Sequence, residues 1–277
     1  MAQNHLHLIS DSTGGTAHSV AQACMAQFAN VDIEYHNWTL IKTSNQLESV
    51  LDVVKELPGP VFYTLIDDTL RTLLEYQCRA IGVPAVALLD GPLAVLSTFF
   101  GTDAAGTPGR QHELNSEYFS RIAAMDFALY CDDGQSEFSY QDADVILVGP
   151  SRTSKTPTCV ILAQKGIKAA NIPLVPGADY PAYLKDYQKP LVVGLVTDPK
   201  KLMDIRLSRL EHLGQGDGTN YTDLDMIKQE IRDARRFFAQ NAWPTIDVSR
   251  RSIEETAAQI VNLLSKRRME NLAKQEA

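Results

Sequence analysis

A chain of 277 residues with a formal net charge of −8 and an isoelectric point near 5.3 has room for one large or two medium domains, each with its own core. Its negative field argues against nonspecific binding to nucleic acid or to an anionic membrane, so a polyanionic ligand would need donors supplied locally. No run of eighteen apolar residues and no basic, then apolar, leader is present, and Cys24, Cys78, Cys131 and Cys159 stand too far apart for a zinc site or a disulfide framework. The expectation is a cytoplasmic protein with four buried, reduced thiols.

Over the first hundred residues short β-like runs alternate with helix-like ones. Strands are expected at 5–10, 32–40, 61–66 and 85–89, and helices at 17–30, 44–56, 69–81 and 94–100. This rhythm predicts a parallel sheet flanked by helices. Between the first strand and helix lies Ser10-Asp11-Ser12-Thr13-Gly14-Gly15-Thr16, a hydroxyl-rich turn that fits helix capping or an anion site at a helix N-terminus. It lacks lysine, and Asp11 would repel phosphate unless it served as a base or a metal ligand. The stretch 101–109 holds three glycines and a proline and reads as a linker. It places a boundary between an N-terminal α/β domain, 1–105, and a C-terminal domain, 106–277.

After a helix at 115–124, the second domain is expected to run as strand 145–149, helix 156–165, strands 168–174 and 191–197, helices 199–211 and 222–240, strand 244–248 and helix 252–265. The last residues, 266–277, read as a fraying helical tail. This is the order of a phosphate-loop kinase core with parallel strands. Asp198-Pro199 has the form of an N-cap followed by proline in the first turn, with a magnesium-positioning carboxylate as the alternative. Ser252 and Glu255 have capping-box spacing. There is no internal repeat and no long low-complexity tract.

The apolar run Val145 to Val148 empties into Gly149-Pro150-Ser151-Arg152-Thr153-Ser154-Lys155-Thr156. In a Gly-x4-Gly-Lys-Ser/Thr loop, backbone N–H groups cradle phosphate oxygens, the lysine reaches the outer phosphates and the hydroxyl binds magnesium. Gly149, Lys155 and Thr156 fit this pattern, whereas Ser154 stands where the second glycine is usual and bears a steric cost in any left-handed geometry. Arg152 could direct its guanidinium at a phosphate or stand in solvent. Arg206 and Arg209, three apart on a helix, could close over phosphates or be solvated. Asp132-Asp133-Gly134 could hold a metal, accept a proton or simply turn the chain. His112, among polar neighbours, is the most suggestive of the six histidines.

Three stretches together resemble a known family: 9–17 (Ile-Ser-Asp-Ser-Thr-Gly-Gly-Thr-Ala), 143–158 continuing through 168–177 (Lys-Ala-Ala-Asn-Ile-Pro-Leu-Val-Pro-Gly), and 246–257 (Ile-Asp-Val-Ser-Arg-Arg-Ser-Ile-Glu-Glu-Thr-Ala). They are similar, in the same order and across nearly the whole chain, to the regulatory proteins of pyruvate, phosphate dikinase and phosphoenolpyruvate synthase. The resemblance implies a bifunctional Ser/Thr kinase that uses ADP to phosphorylate a threonine of its target, and that removes the group with inorganic phosphate, releasing pyrophosphate. It puts ADP on Gly149 through Thr156 and suggests a homodimer. On this reading Lys155 and Arg152 act on the phosphates, Thr156 holds a magnesium ion, and Asp11 or Asp133 orients or deprotonates the acceptor hydroxyl. Pyruvate, phosphate dikinase is favoured as target over phosphoenolpyruvate synthase. A small-molecule kinase and a nonenzymatic nucleotide sensor are the competing readings.

Overall fold

Alternation along β1 (Asn4–Ser10) sends Leu6 and Leu8 to one face, against Ala17 and Ala21 of α1 (Gly15–Met25). Ile9 goes to the other, against α2 (Ser44–Glu56) and α3 (Asp68–Ala80). A strand covered on both faces belongs inside a parallel sheet. It lies there between β2 (Ile33–Trp38) and β3 (Val61–Thr64), with β4 (Ala85–Ala87) beyond β3 and every pairing parallel. Thr43 and Gln46 form a capping box at the start of α2, and Asp67 caps α3 through the Leu70 N–H. The helix α4 (Asp90–Phe100) starts four residues before the expected 94, with Asp90 paired to Arg71.

The computed structural model describes residues 4–110, 116–132, 137–212 and 221–275. The chain divides into two units, Met1–Glu113 and Leu114–Ala277. In the second, β5 (Val145–Pro150) is buried along its whole length between β6 (Ala169–Leu174) and β7 (Leu191–Val196), and β8 (Thr245–Asp247) pairs with β7. One face is covered by α8 (Leu224–Gln240), whose Ile227, Ile231, Ala234 and Phe238 recur at helical spacing. Gly194 of β7 meets the Phe238 ring so closely that a Cβ there would lie 2.3 Å from it. The other face takes α5 (Ser116–Tyr130), α6 (Lys155–Gln164) and α9 (Ile253–Gln275). The helix α7 (Pro199–His212) follows β7.

The two sheets share one strand order, second-first-third-fourth, which periodicity alone does not reveal. Each therefore has a crevice outside the carboxyl ends of its first and third strands, where the connections diverge and ligands bind in open α/β sheets. Several expected bounds shift for local reasons. The helix expected at 17–30 stops at Met25, and Asn30 is left-handed; the strand expected at 32–40 stops at Trp38, before a left-handed Leu40. The helix expected at 115–124 continues to Tyr130, and α9 stays helical to Gln275. Cys78, Cys131 and Cys159 are buried as expected, but Cys24 is exposed. Among the described residues, no helix is long and apolar enough to cross a membrane.

Candidate phosphate-binding site

The carboxyl end of β5 runs into Ser151 to Ser154 and then α6, the strand–loop–helix setting that the spacing predicts. Gly149 is required by close approach, since a Cβ there would stand 2.3 Å from the Leu195 carbonyl oxygen of β7. Arg152 (φ 73°) and Ser154 (φ 60°) are both left-handed. Left-handed residues placed this way turn N–H groups into an anion-binding concavity. Ser154 thus adopts the conformation that glycine would take freely, at a cost of roughly 1–2 kcal/mol. Thr153 is buried and closes the turn by donating its hydroxyl hydrogen to the Pro150 carbonyl at 2.9 Å.

Lys155, the first residue of α6, is buried, and its ammonium donates to the carbonyls of Gly149 (2.9 Å) and Pro150 (2.8 Å). A buried cation gains from an anion brought beside it. The adjoining cavity, about 240 Å³, is walled by Ser151, Arg152, Ser154, Lys155, Thr156 and Asn171, among others. Beside it the Thr156 hydroxyl donates to the Asp132 carboxylate (3.0 Å), and the Asn171 amide reaches both that carboxylate (2.5 Å) and the Thr156 hydroxyl (2.8 Å). Asp132 follows α5, and its neighbour Cys131 is tied to β6 by the Asn171 N–H.

Arg206 is neither a lid nor solvated. It is buried, forms two 2.9 Å hydrogen bonds with the Glu230 carboxylate, donates to the Ser151 carbonyl (3.2 Å) and lies over the Tyr221 ring. Arg209, three residues on, is exposed. The pair does not share a face over the phosphates, because the helical phase that turns Arg206 inward turns Arg209 out. Asp198 accepts from the N–H groups of Lys200 and Lys201 and caps α7. Ser252 and Glu255 form their reciprocal box. Asp133 and His112 lie outside the described residues.

Asp11 lies in the first unit, at the carboxyl end of β1, and is buried. Its Oδ2 accepts from the Ile66 N–H at 2.7 Å and so ties the end of β1 to the chain leaving β3. Burial pushes its carboxyl pKa up, partly opposed by that hydrogen bond.

The residues missed from sequence are Asn171 and Glu230. Both left a signal: Asn171 interrupts an apolar strand, and Glu230 occupies a core-facing turn of α8 between Ile227 and Ile231. A polar group placed that way needs a partner.

The sequence pattern of the kinase/pyrophosphorylase family matches residues 6–261. The chain belongs to this family. Curated relatives include proteins from Paramagnetospirillum magneticum (50% identical, covering 95% of this chain and 85% of that protein) and Rhodospirillum rubrum (48%, covering 95% and 96%). Another, from Maricaulis maris, is 46% identical over 95% of this chain and 94% of its own length. Each carries the name "Putative pyruvate, phosphate dikinase regulatory protein". Family membership makes the chain a kinase-like transferase.

Proposed function

We propose that the chain is a bifunctional Ser/Thr phosphotransferase that inactivates pyruvate, phosphate dikinase with ADP and reactivates it with inorganic phosphate. The observation that carries this reading is Lys155, a buried ammonium held at the mouth of a left-handed loop beside a cavity of about 240 Å³. The names of the relatives support the target. In the forward direction the acceptor threonine oxygen bonds to the β-phosphorus of ADP, its proton passes to a carboxylate, and AMP leaves. In the reverse direction an oxygen of inorganic phosphate bonds to the phosphothreonine phosphorus, the threonine oxygen leaves and regains a proton, and pyrophosphate departs.

One cradle serves both directions because the β-phosphate of ADP and free phosphate are alike in charge and size. The N–H groups of the loop and Lys155 stabilise charge on the transferring group. Arg152, exposed at the loop, can approach the outer oxygens. The Thr156 hydroxyl and the Asp132 carboxylate are hard oxygen donors of the kind magnesium takes, and the ion would offset phosphate charge there. Asp133, adjacent to Asp132 in sequence, and Asp11 are the candidates for the proton-accepting carboxylate.

The test mixes purified protein with pyruvate, phosphate dikinase and β-labelled ADP, beside a Lys155→Ala control and an ATP reaction freed of ADP. Label entering threonine from ADP, and lost in the control, is expected. No transfer to the dikinase but transfer to phosphoenolpyruvate synthase would move the target. Failure with both acceptors would overturn the reading.

A further inference from the structure

The first sheet carries a group of polar rings that the phosphate chemistry does not use. Parallel register sets His5 opposite Glu34 and His7 opposite His36 on β1 and β2. Positions two apart on a strand share a face, so His5, His7, Glu34 and His36 all project to the same side. We propose that His5, Glu34 and His36 form a binding site for a borderline divalent transition metal, with zinc the best fit.

The distances are compatible with a shared ion. One ligand atom from each of the three residues falls within 4.8 Å of the other two. His5 Nδ1 lies 3.0 Å from His36 Nε2 and 3.6 Å from a Glu34 carboxylate oxygen. Zinc bonds of about 2.0–2.1 Å at tetrahedral angles place ligand atoms roughly 3.3 Å apart. Both separations are within a few tenths of an ångström of that edge, whereas 3.6 Å is too long for a hydrogen bond. An ion can therefore replace the proton between the two imidazoles without moving the strands.

The surroundings fix the ligands. His7 stacks on His36, ring centroids 4.7 Å apart. Both of its own nitrogens are engaged, Nε2 with the Leu57 carbonyl at 2.8 Å and Nδ1 as acceptor from the Trp38 indole at 3.3 Å. His7 is thus not a ligand; it sets the plane of one. Gly59 presses on the backbone of His5, where a Cβ would meet the His5 carbonyl oxygen at 2.1 Å. The Glu34 side chain is 48% exposed, and β2 is an edge strand. The ion has a path in and room for water as a fourth ligand. Two imidazoles and one carboxylate suit zinc or a neighbouring transition metal better than magnesium or calcium, which take oxygen donors. Bound there, the ion would pin edge strand β2 to β1.

Zinc titrated calorimetrically into full-length protein previously dialysed against EDTA should show one site per chain, for which magnesium and calcium at the same concentrations do not compete. His5→Gln and His36→Gln should abolish that site. Glu34→Gln, at an exposed position that leaves the sheet intact, should weaken it about tenfold or more. Zinc should also raise Tm in the wild type and not in the histidine variants. Absence of zinc binding at tens of micromolar, or binding unchanged in all three variants, would overturn the assignment. These readouts use no phosphotransfer and stand or fall apart from the proposed activity.

Discussion

Two sheets of one strand order end their central strands in opposite chemistry. In the first unit, β1 leads through Asp11 to a left-handed Gly14 and then α1; in the second, β5 leads through Ser151 to a left-handed Ser154 and then α6. Neither helix has a side-chain cap at that residue. The scaffold is shared. What differs is the charge placed at the turn: a buried carboxylate bonded to the Ile66 N–H in one, a buried ammonium bonded to two carbonyls in the other. Topology supplies a crevice, and a few side chains decide what it can hold.

The largest expected effect removes the cation that separates the two turns. Lys155→Ala should lower phosphotransfer by about two to three orders of magnitude, the scale seen when one preorganised charge or donor is lost. Circular dichroism should show an intact fold, since the change is confined to the stem and to the ammonium bonds with the Gly149 and Pro150 carbonyls beside an open cavity. Retained turnover would erase the chemical contrast between the units.

The loop of the second unit is further braced by the Arg206–Glu230 pair. Arg206→Met should destabilise that unit by about 3–5 kcal/mol, since it strands Glu230 as a buried, unpaired charge. The double variant Arg206→Met, Glu230→Met should recover most of that loss in urea unfolding, and ADP affinity should remain impaired because the Ser151 carbonyl has lost its donor. Full recovery of both properties would make the pair dispensable to the loop.

The counterpart in the first unit is a pH effect. Burial raises the pKa of Asp11 above its ordinary value, so as pH rises the unfolded chain gives up this proton before the folded one does. The folded state then binds more protons, and the contribution of Asp11 to stability falls through the interval between the two pKa values. Asp11→Asn keeps an oxygen acceptor for the Ile66 N–H and removes the titration. Unfolding at pH 4 and pH 7 should show the variant gaining on the wild type at the higher pH. A constant difference would place the Asp11 titration elsewhere. The same variant, assayed for transfer, tests the proposed role of Asp11 as base.

The smallest effect returns to the left-handed residue before each helix. Ser154→Gly should stabilise the protein by up to about 1 kcal/mol, relief of strain being partly offset by the greater freedom of glycine in the unfolded chain. ADP affinity should be unchanged or slightly improved. Gly14→Ser should destabilise, because its φ of 77° is left-handed and a Cβ there would lie 3.0 Å from Thr39.

Much of this was legible in the residues alone. Short β-like and apolar runs marked the eight described strands, of three to seven residues, to within a few positions. Capping chemistry at Asp198 and Ser252 located two helix starts, since those bonds are made within one turn. The spacing of Gly149, Lys155 and Thr156 located the loop, because a phosphate cradle is built from consecutive residues. These are local relations, and a sequence states local relations directly.

Tertiary structure decided the rest. Arg206 and Glu230 are 24 residues apart, and Thr156 meets partners 24 and 15 residues away. Which face of a helix is inward follows from the sheet it packs on, and so Arg206 became a brace for the loop where its spacing had left a lid or a solvated side chain open. The shared strand order of the two units, and the juxtaposition of His5 with Glu34 and His36 across neighbouring strands, likewise have no local signature. Pairing register is set by which apolar faces can be buried together, and that is a property of the assembled sheet.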